Sequence, residues 1–113
     1  MDKELIAILA TFKVPVLRQG SMESEAKYPK TFITFWNNSS NAHAHYDNEE
    51  FGVIWDYNIF VYSSDIDTTY DLLEQIRAAL KNAGWIPASH GFDAASDHAT
   101  HTGRGLEVVF MAF

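Results

Sequence analysis

Five histidines and no cysteine set the limits of the chemistry this chain can carry. His43 and His45 stand as H-x-H, and His98 and His101 as H-x-x-H, with His90, Asp93 and Asp97 in the same second stretch. On a strand, residues i and i+2 point to one side, so His43 and His45 can chelate one ion through two imidazoles. If the two stretches met, His43, His45, His98 and His101 would offer four nitrogen ligands to a single metal. Both stretches are polar and loop-like, and their spacing matches no zinc motif, so solvated histidines are the simpler expectation. Ser63, Ser64, Ser89 and Ser96 lack the G-x-S-x-G elbow that activates a serine. Glu49 and Glu50 are adjacent but lie in a polar stretch with nothing to enclose them and tune a pKa. There is no glycine-rich phosphate loop. The expectation is a protein that is not an enzyme and needs no cofactor.

The elements that position these residues can be read from periodicity. Leu5, Ile6, Leu9 and Phe12 recur at helical spacing, which predicts a helix over residues 2–12. Pro15 ends it, and Val14, Val16 and Leu17 form a short extended piece. Residues 31–37 are β-branched and aromatic, with Phe32, Thr34 and Trp36 on one face and Ile33 and Phe35 on the other. The run Asn37, Asn38, Ser39, Ser40, Asn41 predicts a turn or loop, which residues 42–50 extend or end as a frayed strand.

Residues 52–63 are the longest strand candidate. Val53, Trp55, Tyr57, Ile59 and Val61 should face the core, and Ile54, Asp56, Asn58, Phe60 and Tyr62 the other side. Residues 67–83 read as the second helix, with Asp67 or Thr68 as cap and a stripe of Thr69, Leu72, Leu73, Ile76, Ala79 and Leu80. Gly84 is placed to be its left-handed terminator. Residues 85–88 suit a short strand, residues 89–103 a second loop, and residues 105–113 a final strand apolar on both faces. Such a strand is central, or is covered by a partner chain. The order α-β-β-β-α-β-β predicts a single α+β domain over residues 1–113, with two helices packed on one face of an antiparallel or mixed sheet.

Length, composition and charge narrow the function. A chain of 113 residues, 47% hydrophobic and 14% aromatic, folds around one core. The N-terminus lacks the basic and apolar regions of a signal peptide, and no segment approaches membrane-spanning length, so a soluble intracellular protein is expected. The net charge of −7 is unevenly spread. Residues 31–76 carry eight carboxylates, no lysine or arginine, and ten of the sixteen aromatic residues. Such a stretch repels a nucleic-acid backbone and suits protein contacts, or a passage through which DNA slides without sticking. Trp36, Phe60, Tyr62, Met111 and Phe113 are candidate interface residues, since aromatics beyond the needs of a small core mark interfaces. Asp47, Glu49, Glu50 and Asp56 are candidates for an acidic lumen or surface.

One succession of features resembles a known family. Tyr28 and Pro29 lead into Thr31, Phe32, Ile33, Thr34, Phe35 and Trp36, and the strand over residues 53–62 follows. Then come the helix closed by Ala83, Gly84 and Trp85, and a terminal strand. Over residues 28–113 this resembles the small tail-terminator and tail-completion proteins of long-tailed bacteriophages and prophages. The resemblance implies an α+β subunit of a ring, typically a hexamer, that caps the finished tail tube, stops its polymerisation and offers a surface to the filled head. It implies contacts with copies of itself, the tail tube protein and head-neck proteins. DNA would pass through without sequence-specific binding, and no membrane would be involved. The site of action would be the virion tail, after assembly in the host cytoplasm. The alternatives are another neck or head-tail connector component, or a metal-binding protein built on the two histidine stretches. The resemblance gives those stretches no role.

Overall fold

Alternation in three long segments of this chain builds one sheet, and two amphipathic segments cover one side of it. A computed structural model describes residues 2–18, 30–42, 45–46, 49–50, 52–94 and 101–112. In chain order these form α1 (Asp2–Leu9), a 3-10 turn (Ala10–Phe12), β1 (Val16–Arg18), β2 (Thr31–Ala42), β3 (His45–Tyr46), β4 (Glu49–Glu50) and β5 (Val53–Ser63). There follow α2 (Ile66–Asn82), β6 (Ile86–Pro87), β7 (Phe92–Ala94) and β8 (Thr102–Ala112). The six-stranded sheet runs β1-β2-β5-β8-β6, with β7 also paired to β8, and β3 and β4 make a separate ladder. Among the described strands of the sheet β1 alone pairs in parallel, and the neighbours of β5 and β8 are antiparallel. This is the α+β architecture expected, with one main mixed sheet and two helices.

The core lies between the helices and one sheet face. Leu5 and Leu9 of α1 and Leu73, Ile76 and Leu80 of α2 pack on Ile33, Phe35, Tyr57, Ile59, Val61, Leu106 and Val108. Tyr57 is fully buried, and its hydroxyl donates to the carboxylate of Asp2 at the start of α1. One side chain thus ties the first helix to the central strand. Ile6, expected on the buried stripe of α1, is exposed, and Ile8 packs on the core instead. The helix stops at Leu9 and tightens into the 3-10 turn, which Lys13 closes in a left-handed conformation.

The termini of α2 follow local hydrogen-bonding rules. Asp65, rather than Asp67 or Thr68, is the cap: its side chain accepts from the Asp67 N–H at 3.1 Å while its own backbone is extended. At the other end Gly84 takes φ +94°, as expected. The Gly84 N–H bonds the Lys81 carbonyl at 3.2 Å and the Trp85 N–H the Leu80 carbonyl at 2.9 Å, a Schellman closure. The chain turns sharply there and brings Trp85 under the sheet, 5.8 Å from the Tyr57 ring and 5.0 Å from that of Phe110.

Three expectations about loops are corrected. The run from Asn37 to Asn41 is part of β2, not a turn, because β5 is long enough to pair with it as far as Ala42. A register shift between Asn37 and Ser39 absorbs the irregularity. Residues 42–50, expected as a loop or frayed strand end, include the β3–β4 ladder, His45 opposite Glu50. Within 89–103, β7 pairs with the start of β8, so the final strand begins at Thr102. Gly103, expected in the loop, is a strand residue like Gly105, and both leave room for aromatic rings. With β5 on one side and β6 and β7 on the other, β8 is interior, which accounts for its two apolar faces.

Candidate assembly surface

The sheet face away from the helices takes its side chains from alternate positions of β2, β5 and β8. Cross-strand pairing sets Phe32 opposite Tyr62, Thr34 opposite Phe60, and Trp36 opposite Asn58. On the next strand Gly103 lies opposite Tyr62, Gly105 opposite Phe60, Glu107 opposite Asn58, Val109 opposite Asp56, and Met111 opposite Ile54. The face therefore has an aromatic end, a polar middle and an aliphatic end.

At the aromatic end the rings of Phe32 and Tyr62 stack with centroids 5.2 Å apart. Phe60 lies 6.2 Å from Tyr62, and meets Phe92 edge-on at 6.2 Å. Phe32 is buried beneath this group, while Phe60 and Tyr62 are half-buried. His101 joins it, with its ring 5.8 Å from that of Phe32. The cluster is a second small core on the open face, and two of the expected interface residues belong to it.

In the middle, Trp36 is 50% exposed. With Asn38, Asn58 and Phe60 it lines a hollow of about 350 Å³. Asp56 accepts a hydrogen bond from the Asn38 side-chain amide at 3.2 Å. Glu107 lies beside Asp56, whose negative charge is the main reason the Glu107 carboxyl titrates above the usual 4.5; burial and a hydrogen bond between the two add to it. At the aliphatic end Met111 is 40% and Ile86 51% exposed.

Other expected site residues fall elsewhere. His43, Asp47, His98 and Phe113 lie outside the described residues. His45, Glu49 and Glu50 are placed by their backbone in the β3–β4 ladder. His90 and Asp93 serve the helix side: His90 Nδ1 is 3.1 Å from Glu74 Oε1 on α2, and Arg104 Nη1 donates to Asp93 Oδ1 at 2.9 Å. The Arg104 guanidinium also stacks 4.2 Å over the Tyr70 ring. Among the described residues no three histidine, cysteine or carboxylate groups gather as a metal site. No helix among them is long and apolar enough to cross a membrane. Asn38 and Glu107 were missed as surface-site residues. Alternation put Glu107 on one face of its strand, but only the register places it beside Asp56.

Compared with known proteins, the chain matches no protein-family model and no curated protein.

Proposed function

We propose that this protein is a structural component of a bacteriophage or prophage tail, a terminator-like subunit that acts through its open sheet face. The reading rests on one observation above others. A face of three long strands, opposite the helices, carries the exposed Trp36 with two carboxylates in its middle and the exposed Met111 at its aliphatic end. A sheet face of this kind suits a heterologous contact, in which different patches of successive copies meet and rotation closes a ring. The carboxylates that border the contact, Asp56 and Glu107, are of the sign that lets DNA pass without adhering. The resemblance over residues 28–113 adds the expectation of a hexamer, with the tail tube protein on one side and head-neck proteins on the other. The role asks for no catalysis and no cofactor.

The test is reconstitution. Mixed with purified tail tubes that lack their end protein, the subunit should bind only tube ends and halt elongation, as seen by negative-stain electron microscopy. Binding to heads or portal assemblies with no binding to tubes would favour another neck component. Binding to neither would remove the tail reading.

A further inference from the structure

The hollow lined by Trp36, Asn38, Asn58 and Phe60 has a chemistry more specific than a flat interface. Trp36, Asn58 and Glu107 are successive partners across β2, β5 and β8, so Glu107 stands beside Asn58 on the side opposite Trp36. Asp56 is two residues from Asn58 on the same face, and its carboxylate is tied to the Asn38 amide. Among the described residues, β2, β5 and β8 place no lysine or arginine on this face beside the two neighbouring carboxylates.

We propose that this hollow receives an arginine side chain from a partner protein, stacked against Trp36 and Phe60 and paired with Asp56 and Glu107. A planar guanidinium lies well on aromatic faces and carries five donors in a fixed fork. The amide oxygens of Asn38 and Asn58 line the hollow, and the carboxylates of Asp56, bonded to Asn38, and of Glu107, across from Asn58, flank it. A lysine ammonium would satisfy the charge but not the stacking. Phosphate backbones and anionic membrane surfaces carry the wrong sign.

The test uses dilute 15N-labelled full-length protein titrated with the peptide Ac-Ala-Arg-Ala-amide in the millimolar range, the scale of a single side-chain contact. Saturable shifts of the Trp36 indole N–H and the Asn38 and Asn58 side-chain amides are expected. The lysine peptide should bind more weakly, and the glutamine peptide should give no such shifts. Trp36→Ala should weaken binding about 3- to 30-fold. The near-isosteric double variant Asp56→Asn/Glu107→Gln should weaken it at least as much, with folding checked in the same spectra. Equal response to the glutamine peptide, shifts located elsewhere, no saturable response, or an unaffected double variant would each overturn the proposal. The titration reads the hollow and tube capping reads the tail role, so the two ideas fail separately.

Discussion

Phe60 lies directly across from Gly105, and its ring fills the space that a side chain at Gly105 would need. A Cβ built on Gly105 would come 2.8 Å from Phe60 Cε1 and 2.5 Å from Phe92 Cε2. Gly103 stands in the same relation to Tyr62, where the nearest ring atom would be 2.7 Å away. Both glycines are thus required by the aromatic cluster of the open face, and neither marks a chain reversal.

Gly105→Ala should therefore destabilise the fold. Replacing a strand glycine by alanine ordinarily gains about 0.5–1 kcal/mol. Forcing two rings aside costs about 1–3 kcal/mol. A lower urea midpoint with an unchanged slope is the expected result. A midpoint equal to or above the parent's would mean that the rings move aside freely and the cluster is not packed.

Trp36→Ala and Met111→Ser should separate assembly from folding. About half of each side chain is in solvent, so each change should cost about 1–2 kcal/mol, less than a core truncation. Any oligomer should nevertheless weaken. Phe60→Ser with Tyr62→Ser should instead lower stability by several kcal/mol, because these rings pack on Phe32 and Phe92. Thermal melts beside sedimentation velocity would read both effects.

Tyr57→Phe removes the hydroxyl that donates to the Asp2 carboxylate at the helix–sheet junction. Hydrogen bonds to charged groups contribute about 1.5–3 kcal/mol, and a loss in that range is expected in chemical denaturation. Amide exchange over residues 2–9 should speed up in the same variant. Unchanged protection of α1 would show that Leu5 and Leu9 hold the helix alone.

Glu107→Gln should make the protein more stable at neutral pH. The Glu107 carboxyl is raised above its ordinary value, chiefly by Asp56, so the folded state binds its proton more tightly than the unfolded chain does. Stability from this group is then greatest when it is protonated and falls as pH rises from about 4.5 through the elevated folded value. The variant lacks that loss. Urea unfolding at pH 7 should favour it over the parent, and the advantage should vanish at pH values low enough to protonate Glu107. An advantage independent of pH would point to packing as its origin.

The sequence made the layers legible and the register invisible. Period two along residues 53–62 placed Tyr57, Ile59 and Val61 inside correctly, and helical spacing did the same for Leu73, Ile76 and Leu80. Gly84 announced the end of α2 through a conformation that glycine adopts most readily. The polar run beyond Trp36 misled because turn propensity is local, whereas pairing with β5 is a tertiary gain that overrides it. Gly103, assigned to the loop, misled for a related reason, since its place in β8 beside the Tyr62 ring is set by tertiary pairing. The meeting of Asp56 and Glu107 depends on residues half the chain apart, and no one-dimensional pattern encodes it.

Assembly of copies of this chain into a closed ring through the open sheet face, as proposed above, has a direct readout in oligomer mass. Native mass spectrometry of the untagged protein over a wide concentration range tests it most directly. The parent protein should give one discrete oligomer, a hexamer, that Trp36→Ala dissociates while the subunit stays folded. A mass corresponding to the monomer at every concentration, for parent and variant alike, would contradict it.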